Sequence, residues 1–131
     1  MPEKIFVLAV DDDETILDIY NTTLSEFELL TFSNPKKAKE YIFSSEKKPD
    51  VILMDIMMPG IDGVTLMNEI HSTDSTKHIP IIAVSGLNDA ATLNDALLFG
   101  AMDYIVKPFD INELQVKIKK AAEISKKTKG N

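Results

Sequence analysis

The segment that decides the fold runs Val51-Ile52-Leu53-Met54-Asp55-Ile56-Met57-Met58-Pro59-Gly60. It begins with a short apolar run that ends at the carboxylate of Asp55, and such a run is typical of a buried strand. Pro59 has no amide hydrogen, so a central strand of a sheet cannot continue through it. The segment therefore predicts a strand over residues 51–55 that presents an acidic side chain at its carboxyl end.

Three other apolar runs also end in polar side chains. Residues 5–10 are followed by the acidic residues 11–14, residues 81–84 lead to Ser85, and residues 104–106 lead to Lys107 and Pro108. In an open sheet of parallel strands, ligands bind beyond the carboxyl ends of the strands. We therefore expect the acidic, hydroxyl and ammonium groups to share one site.

Apolar runs of strand length alternate with segments of helical period, a pattern that predicts repeated βα units and a parallel sheet. The predicted strands are residues 5–10, 28–32, 51–55, 81–85 and 102–106, and a helix follows each, the first over about 14–26. Right-handed crossovers favour an α/β fold, a doubly wound five-stranded parallel sheet of order 2-1-3-4-5 with five helices, the flavodoxin-like three-layer sandwich. This order brings Asp11 and Asp12 next to Asp55.

Local signals predict where the helices start and which faces they bury. Asn34 before Pro35, and Asp110, are the expected N-caps of the second and fifth helices. The apolar stripes expected to face the core are Leu17, Tyr20 and Leu24; Val64, Met67 and Ile70; Leu93 and Leu97; and Ile111, Leu114, Ile118 and Ala121. Outside these stripes stand Leu98, Phe99, Phe109 and Val116. They indicate either an exposed contact patch or the chance exposure that is common for single apolar residues.

Length, composition and charge restrict the class of protein. A chain of 131 residues that is 44% hydrophobic can bury a core without disulfides, and it has no cysteine. We expect residues 1–131 to form one domain, with a polar tail or linker start from about 125 to 131. The net charge is −7 and all 14 basic residues are lysine, so direct nucleic-acid binding is not expected. With no stretch of membrane-spanning length and no signal peptide, a cytoplasmic protein is expected.

Three carboxylates in one cleft require a counter-charge. Two unit charges about 4 Å apart repel by roughly 4 kcal/mol at an effective dielectric constant near 20. The strand ends offer oxygen ligands, and Mg²⁺ prefers such sites. The alternative is that Asp11, Asp12 and Asp13 cap the first helix, an interpretation that suits Asp13 best. We expect Asp11, Asp12 and Asp55 to form a Mg²⁺ site.

The same site has the parts for phosphoryl transfer. Asp55 is a candidate nucleophile, Lys107 a candidate clamp for phosphoryl oxygens, and Ser85 a candidate hydrogen-bond donor. Pro108 disfavours a helical backbone at Lys107, which lets the ammonium reach inward from the strand end. Taken singly, a lysine before a proline is usually a surface residue and a serine before Gly86 is more often a turn residue; only their joint placement favours the site.

Together these motifs resemble the receiver domain of bacterial two-component response regulators, the CheY-like family, from Ile5 to about Lys127. The resemblance rests on the pair Asp11-Asp12, the motif at residues 55–63, Ser85 with Gly86, and Tyr104 with Lys107-Pro108-Phe109. These elements stand in the family's order and near its spacing.

The resemblance implies a role in phosphoryl transfer. Asp55 would accept a phosphoryl group from the phosphohistidine of a sensor histidine kinase or a histidine phosphotransfer protein. Asp12, Asp55 and the backbone carbonyl of Met57 would hold Mg²⁺, with Asp11 assisting through water, and Lys107 would contact the phosphoryl oxygens. Such a chain catalyses only its own phosphorylation and dephosphorylation.

The resemblance also implies a switch. Ser85 would move to bond the phosphoryl group, and Tyr104 would turn inward behind it. These movements would reshape the face made by the fourth helix, the fifth strand and the fifth helix, which a downstream effector would bind. Without a switch, Tyr104 is a packing residue with its hydroxyl at the rim.

Two other classes of protein stay open at this point. An aspartyl-phosphate phosphatase or phosphotransferase usually has a second acid two positions after the nucleophile, where this chain has Met57. A constitutive protein-binding module of the same fold, which is not phosphorylated, normally lacks one of Asp12, Asp55 and Lys107, and all three are present. Both observations favour the phosphorylated receiver.

Overall fold

The computed structural model describes residues 4–58, 63–86 and 90–129. In this part of the chain, five strands alternate with five helices: β1 Phe6–Val10, α1 Glu14–Thr23, β2 Glu28–Phe32, α2 Pro35–Ser44, β3 Val51–Asp55, α3 Gly63–Ser72, β4 Ile81–Ser85, α4 Ala90–Leu98, β5 Asp103–Val106 and α5 Ile111–Lys129. The strands are parallel in the order β2-β1-β3-β4-β5. The predicted doubly wound, flavodoxin-like fold is confirmed.

The sheet is the middle layer between two apolar cores. Strands β1, β3 and β4 are buried along their whole length, as expected for parallel strands covered on both faces. One core, with Leu8 and Met54, lies on the side of α2 and α3. The other, with Ala9 and Leu53, lies on the side of α1 and α5. Strand β2 forms an edge and is only partly buried, which explains its mixed sequence.

The register of the sheet sets the position of the polar residues. Val10 pairs with Met54, and Ser85 pairs with Val106. The residue after Val10 therefore lies beside Asp55, and the residue after Val106 lies just beyond Ser85. Side chains from four strand ends meet at one edge.

Side-chain caps start three helices where the sequence predicts them. Asn34 Oδ1 accepts a hydrogen bond from Lys36 N at 2.9 Å, and Pro35 is the first residue of α2. Asp110 Oδ1 accepts from the amide of residue 112 at 2.7 Å. Asp13 is the N-cap of α1, so the capping interpretation is confirmed for this one of the three aspartates.

Two predictions about the helices are wrong. The helix predicted over 14–26 ends at Thr23, because the backbone of Leu24 leaves the helical conformation, with φ −101° and ψ 36°. Leu24 remains in the core, so apolar periodicity alone overestimates the helix. In α4, Leu97 is 42% exposed and Ala96 is buried instead. The small side chain of Ala96 allows α4 to pack closely at this position.

Helix α5 extends to Lys129, and Ser125 is buried. The exposed patch predicted for the last third of the chain is smaller than expected. Phe109 is not part of an exposed patch, because its ring stacks on Tyr20. Leu98, Phe99 and Val116 are exposed. No helix in the described ranges is both long and apolar enough to cross a lipid bilayer.

Candidate functional site

Three carboxylates meet at the carboxyl edge of the sheet. Asp11 and Asp12 follow β1, and Asp55 ends β3; one oxygen of each lies within 4.8 Å of the others. Asp11 is 1% exposed and Asp55 4% exposed, whereas Asp12 lies on the surface. The structure brings together all three acidic residues that the sequence predicts for the metal site.

Backbone amides and one lysine fix the two buried carboxylates. Asp11 Oδ1 accepts a hydrogen bond from Asp13 N at 2.9 Å, and Asp55 Oδ1 accepts one from Met57 N at 3.0 Å. Lys107 Nζ lies 2.8 Å from Asp11 Oδ2 and 3.7 Å from Asp55 Oδ2. The predicted clamp residue therefore bridges both carboxylates.

Ser85 ends β4, the strand next to Asp55, and Tyr104 lies on β5, one strand further along the sheet. The Ser85 side chain is buried at the end of β4, and its carbonyl oxygen accepts a hydrogen bond from Lys107 N at 2.7 Å. Tyr104 pairs with Ala83 across β4 and β5 and is partly buried against the core on the α2 and α3 side. The side chain of Met57 is 59% exposed at the mouth of the site.

Burial and neighbouring charges shift the pKa values of Asp55 and Lys107. Burial, together with the charge of Asp11, raises the pKa of Asp55 to about 7, although the Met57 amide and Lys107 act in the opposite direction. Burial lowers the pKa of Lys107, but Asp11, Asp55 and Asp13 outweigh this effect and the pKa is raised overall. Lys107 thus stays charged at a pH where Asp55 is partly protonated.

The donor set fits a hard divalent cation. Each of the three side chains offers a carboxylate oxygen, the ligand that Mg²⁺ prefers. Asp11 Oδ2 is buried, and the Lys107 ammonium at 2.8 Å is its partner among the described residues. Additional positive charge at the cluster would lower the pKa of Asp55, because it favours the ionised carboxylate.

The sequence assigns Tyr20 only to the apolar stripe of α1. In the structure, Tyr20 Oη is buried and has no hydrogen-bond partner among the described residues. Burial, and then the charges of Asp11 and Asp55, raise the pKa of the Tyr20 hydroxyl far above its ordinary range. A polar atom on an apolar stripe was the available signal, but no spacing rule connects residue 20 with the carboxylates.

Gly63 supports the backbone of Asp55. A Cβ atom on Gly63 would lie 2.6 Å from the carbonyl oxygen of Asp55 and 2.6 Å from the Cα of Ile56. There is no room for a side chain between the start of α3 and the end of β3. The sequence motif includes Gly63, but only the structure shows this contact.

Comparisons with known families and proteins agree with the fold and the cluster. The model of the family described as response regulator receiver domain matches residues 7–119. The transcriptional regulatory protein KdpE of Staphylococcus aureus is 37% identical over 123 residues, which cover 92% of this chain and 51% of that protein. The chain spans between 15% and 51% of the length of the curated relatives that it matches.

Solved structures give close likenesses in fold. A CheY-like response regulator receiver domain protein from Methanospirillum hungatei JF-1 is 26% identical, with a TM-score of 0.82 and coverage of 93% of this chain and 96% of that one. The receiver domain of the sensor histidine kinase PA1611 from Pseudomonas aeruginosa PAO1 has a magnesium ion coordinated in its active site cleft. At 23% identity, a TM-score of 0.81 and coverage of 93% of this chain and 99% of that one, it shares the fold.

The family match extends over most of the chain, and the strand order and the acidic cluster at the strand ends agree with it. The chain therefore belongs to the response regulator receiver domain family of two-component systems.

Proposed function

We propose that this chain is a phosphorylation switch: Asp55 accepts a phosphoryl group in a Mg²⁺-dependent reaction and thereby changes the chain's affinity for a downstream partner. The donor is the phosphohistidine of a sensor histidine kinase or of a histidine phosphotransfer protein. The observation that carries the proposal is the buried Asp55 carboxylate, with Lys107 and two further carboxylates around it. Residues 1–131 act in this proposal as a single receiver domain.

Asp55 is the proposed nucleophile. One of its oxygens attacks phosphorus, and the bond from phosphorus to the donor's imidazole nitrogen breaks, with the electron pair staying on nitrogen. The product is an acyl phosphate on Asp55. Because the pKa of Asp55 is raised to about 7, part of the population has to lose a proton first. The hydrogen bond from Met57 N holds the carboxylate in one orientation.

Asp12, Asp55 and the backbone carbonyl of Met57 are the proposed Mg²⁺ ligands, with Asp11 acting through a water molecule. When bound, the ion supplies positive charge against the carboxylates and the phosphoryl oxygens. Support comes from the three carboxylate oxygens within 4.8 Å of one another, two of them on buried residues.

Lys107 and Ser85 are the proposed phosphoryl contacts. The ammonium of Lys107, 3.7 Å from Asp55 Oδ2, is within reach of a group attached to that carboxylate. Ser85 would donate its hydroxyl, and the hydrogen bond from Lys107 N to Ser85 O couples the two residues. Tyr104 would then turn inward, so that phosphorylation biases a two-state element.

The face made by α4, β5 and α5 is the proposed binding surface for the downstream effector. Several large apolar side chains on or beside this face are exposed: Leu97, Leu98, Phe99, Met102 and Val116. Adjacent exposed apolar residues mark interaction sites more often than scattered ones do. They supply apolar area that a partner protein could cover.

Intact-mass analysis after incubation with acetyl phosphate tests the proposed chemistry. The wild type should gain one phosphoryl group in the presence of Mg²⁺ and much less after chelation, and Asp55→Asn should gain none, because an amide is not a nucleophile here. Asp74→Asn is the matched control, since Asp74 is almost fully exposed and pairs only with Lys77 among the described ion pairs. Equal labelling of Asp55→Asn and Asp74→Asn would refute the assignment of Asp55.

A further inference from the structure

The hydroxyl group of Tyr20 has no role in the proposed chemistry. The side chain is 1% exposed, within the core on the α1 and α5 side. Tyr20 Oη lacks a hydrogen-bond partner among the described residues. Buried polar groups in native proteins are nearly always hydrogen-bonded, so this donor requires an explanation.

The acceptor in the same region is Asp11 Oδ2. In the resting structure Lys107 Nζ holds it at 2.8 Å, and no other donor among the described residues bonds to it. The charges of Asp11 and Asp55 both act on the Tyr20 hydroxyl, and Asp11 has the larger effect. The ring of Tyr20 stacks on Phe109, two residues after the Lys107 that pairs with Asp11, so the donor and the acceptor lie in the same region of the molecule.

Lys107 cannot compensate the charge of Asp11 in every state of the site. Phosphorylation, as proposed, draws its ammonium towards the phosphoryl oxygens, and a divalent cation at the carboxylates repels it. Asp11, which is 1% exposed, then loses its direct contact with an ammonium group and would face the cation only through a water molecule. A buried carboxylate needs hydrogen-bond donors in that situation.

We propose that Tyr20 is a positioning residue whose hydroxyl donates a hydrogen bond to Asp11 Oδ2 when Lys107 Nζ withdraws from it. The inference rests on the proposed function. Tyr20 touches neither the phosphoryl group nor the metal; it orients Asp11, as hydrogen-bond partners of metal-site carboxylates commonly do.

The ring of Tyr20 connects this hydroxyl with the segment that carries Lys107. It stacks on Phe109, with ring centroids 6.0 Å apart and planes inclined by 15°. Phe109 is separated from Lys107 only by Pro108. A displacement of the Lys107 backbone would therefore move Phe109 and, with it, the stacked ring of Tyr20 that carries the donor hydroxyl.

Tyr20→Phe removes Oη and keeps the ring with its stacking contact. Calorimetric titration with Mg²⁺ should give a Kd raised roughly three- to tenfold, the loss that corresponds to one neutral hydrogen bond. Urea unfolding without Mg²⁺ should show a stability equal to or above that of the wild type, because the hydroxyl is unpartnered in the resting state. Tyr41→Phe is the matched control, since Tyr41 Oη donates to Lys47 O, away from the carboxylates, and Mg²⁺ affinity should not change.

Each other result overturns the inference. If wild type and Tyr41→Phe bind Mg²⁺ normally and Tyr20→Phe binds equally well, Tyr20 does not position Asp11, while the proposed function stands. If Tyr20→Phe is less stable than the wild type without Mg²⁺, the hydroxyl has a structural partner in the resting state. If Tyr41→Phe weakens Mg²⁺ binding to the same extent, the effect is not local. A wild type that binds no Mg²⁺ overturns the proposed function and this inference with it.

Discussion

Lys107 Nζ lies 2.8 Å from Asp11 Oδ2, closer than to Asp55 Oδ2 at 3.7 Å. In the resting domain, the lysine thus compensates mainly the charge of Asp11. Asp55 is left with less compensation, which is consistent with its raised pKa of about 7. The residue proposed to receive a phosphoryl group is the less stabilised of the two buried carboxylates.

Replacing Lys107 tests how much this pair contributes. Lys107→Ala leaves Asp11 buried without its cation, so the free energy of unfolding should fall by roughly 1–3 kcal/mol, less than for a fully buried pair because Lys107 is partly exposed. Urea unfolding with and without Mg²⁺ measures this, and Mg²⁺ should restore more stability to the variant than it adds to the wild type. Phosphorylation should no longer produce the wild-type chemical-shift response.

Lys47→Ala is the control for charge and length. Lys47 pairs with Glu28 at 2.8 Å, but both side chains are about half exposed, and such a pair contributes roughly 0–1 kcal/mol. Equal stability of Lys107→Ala and Lys47→Ala would show that the buried pair adds nothing.

The raised pKa of Asp55 predicts a pH dependence of stability. Its folded pKa of about 7 lies above the usual value near 4, so the folded state binds more protons in this window and stability falls as pH rises through it. Asp55→Asn removes this loss. Without Mg²⁺, the variant should gain roughly 1–3 kcal/mol over the wild type at pH 8, with the difference shrinking towards pH 4. Urea unfolding at several pH values measures this difference in stability between Asp55→Asn and the wild type. A difference that does not change with pH, or that Asp74→Asn shows as well, contradicts the assignment of the raised pKa to Asp55.

Two glycines near the site should respond differently to alanine. Gly63→Ala forces a Cβ to within 2.6 Å of the Asp55 backbone, so stability should fall by roughly 1–3 kcal/mol and phosphorylation by acetyl phosphate should slow. Gly86→Ala meets no heavy atom within 4 Å of the new Cβ and should stay within about 1 kcal/mol of the wild type. Thermal unfolding and intact-mass kinetics distinguish the two, and equal behaviour would remove the steric argument.

Ser85→Ala should separate phosphorylation from its structural consequence. The variant keeps the buried Cβ and loses the hydroxyl proposed to bind the phosphoryl group, so Asp55 should still be labelled while the response at Tyr104 is reduced at least several-fold. Amide chemical shifts along β5 and α5, recorded with and without phosphorylation, measure the response. Ser33→Ala, an exposed serine at the end of β2, is the control. A full response in Ser85→Ala would show that the hydroxyl is dispensable.

Much of the fold could be predicted because strand boundaries are marked locally. Strands β2, β3 and β4 begin and end at the predicted residues, whereas β1 and β5 each start one residue later than expected. The helices were harder to predict because burial follows packing distance and not only periodicity. Ala96 replaces Leu97 on the inner face of α4, and Leu24 stays in the core after α1 has ended.

The positions of the charged groups could be predicted more fully than those of their neutral neighbours. Asp11, Asp12, Asp55 and Lys107 follow directly from the order of the strands, because each stands at a strand end. The packing of α1 against the sheet buries the Tyr20 hydroxyl without a hydrogen bond to a described residue, and Gly63 approaches Asp55 where α3 begins. Neither feature corresponds to a fixed spacing in the sequence.

The ion pair between Lys107 and Asp11 joins the ends of β5 and β1, which have two other strands between them in the sheet. A polypeptide that is cleaved, or still being synthesised, before β5 contains Asp11 and Asp55 but not the ammonium between them. Bringing both carboxylates into the interior is then opposed by uncompensated charge. We therefore expect fragments that lack the final strand to bury these carboxylates less readily than the whole domain does, and to be cleaved more easily by proteases.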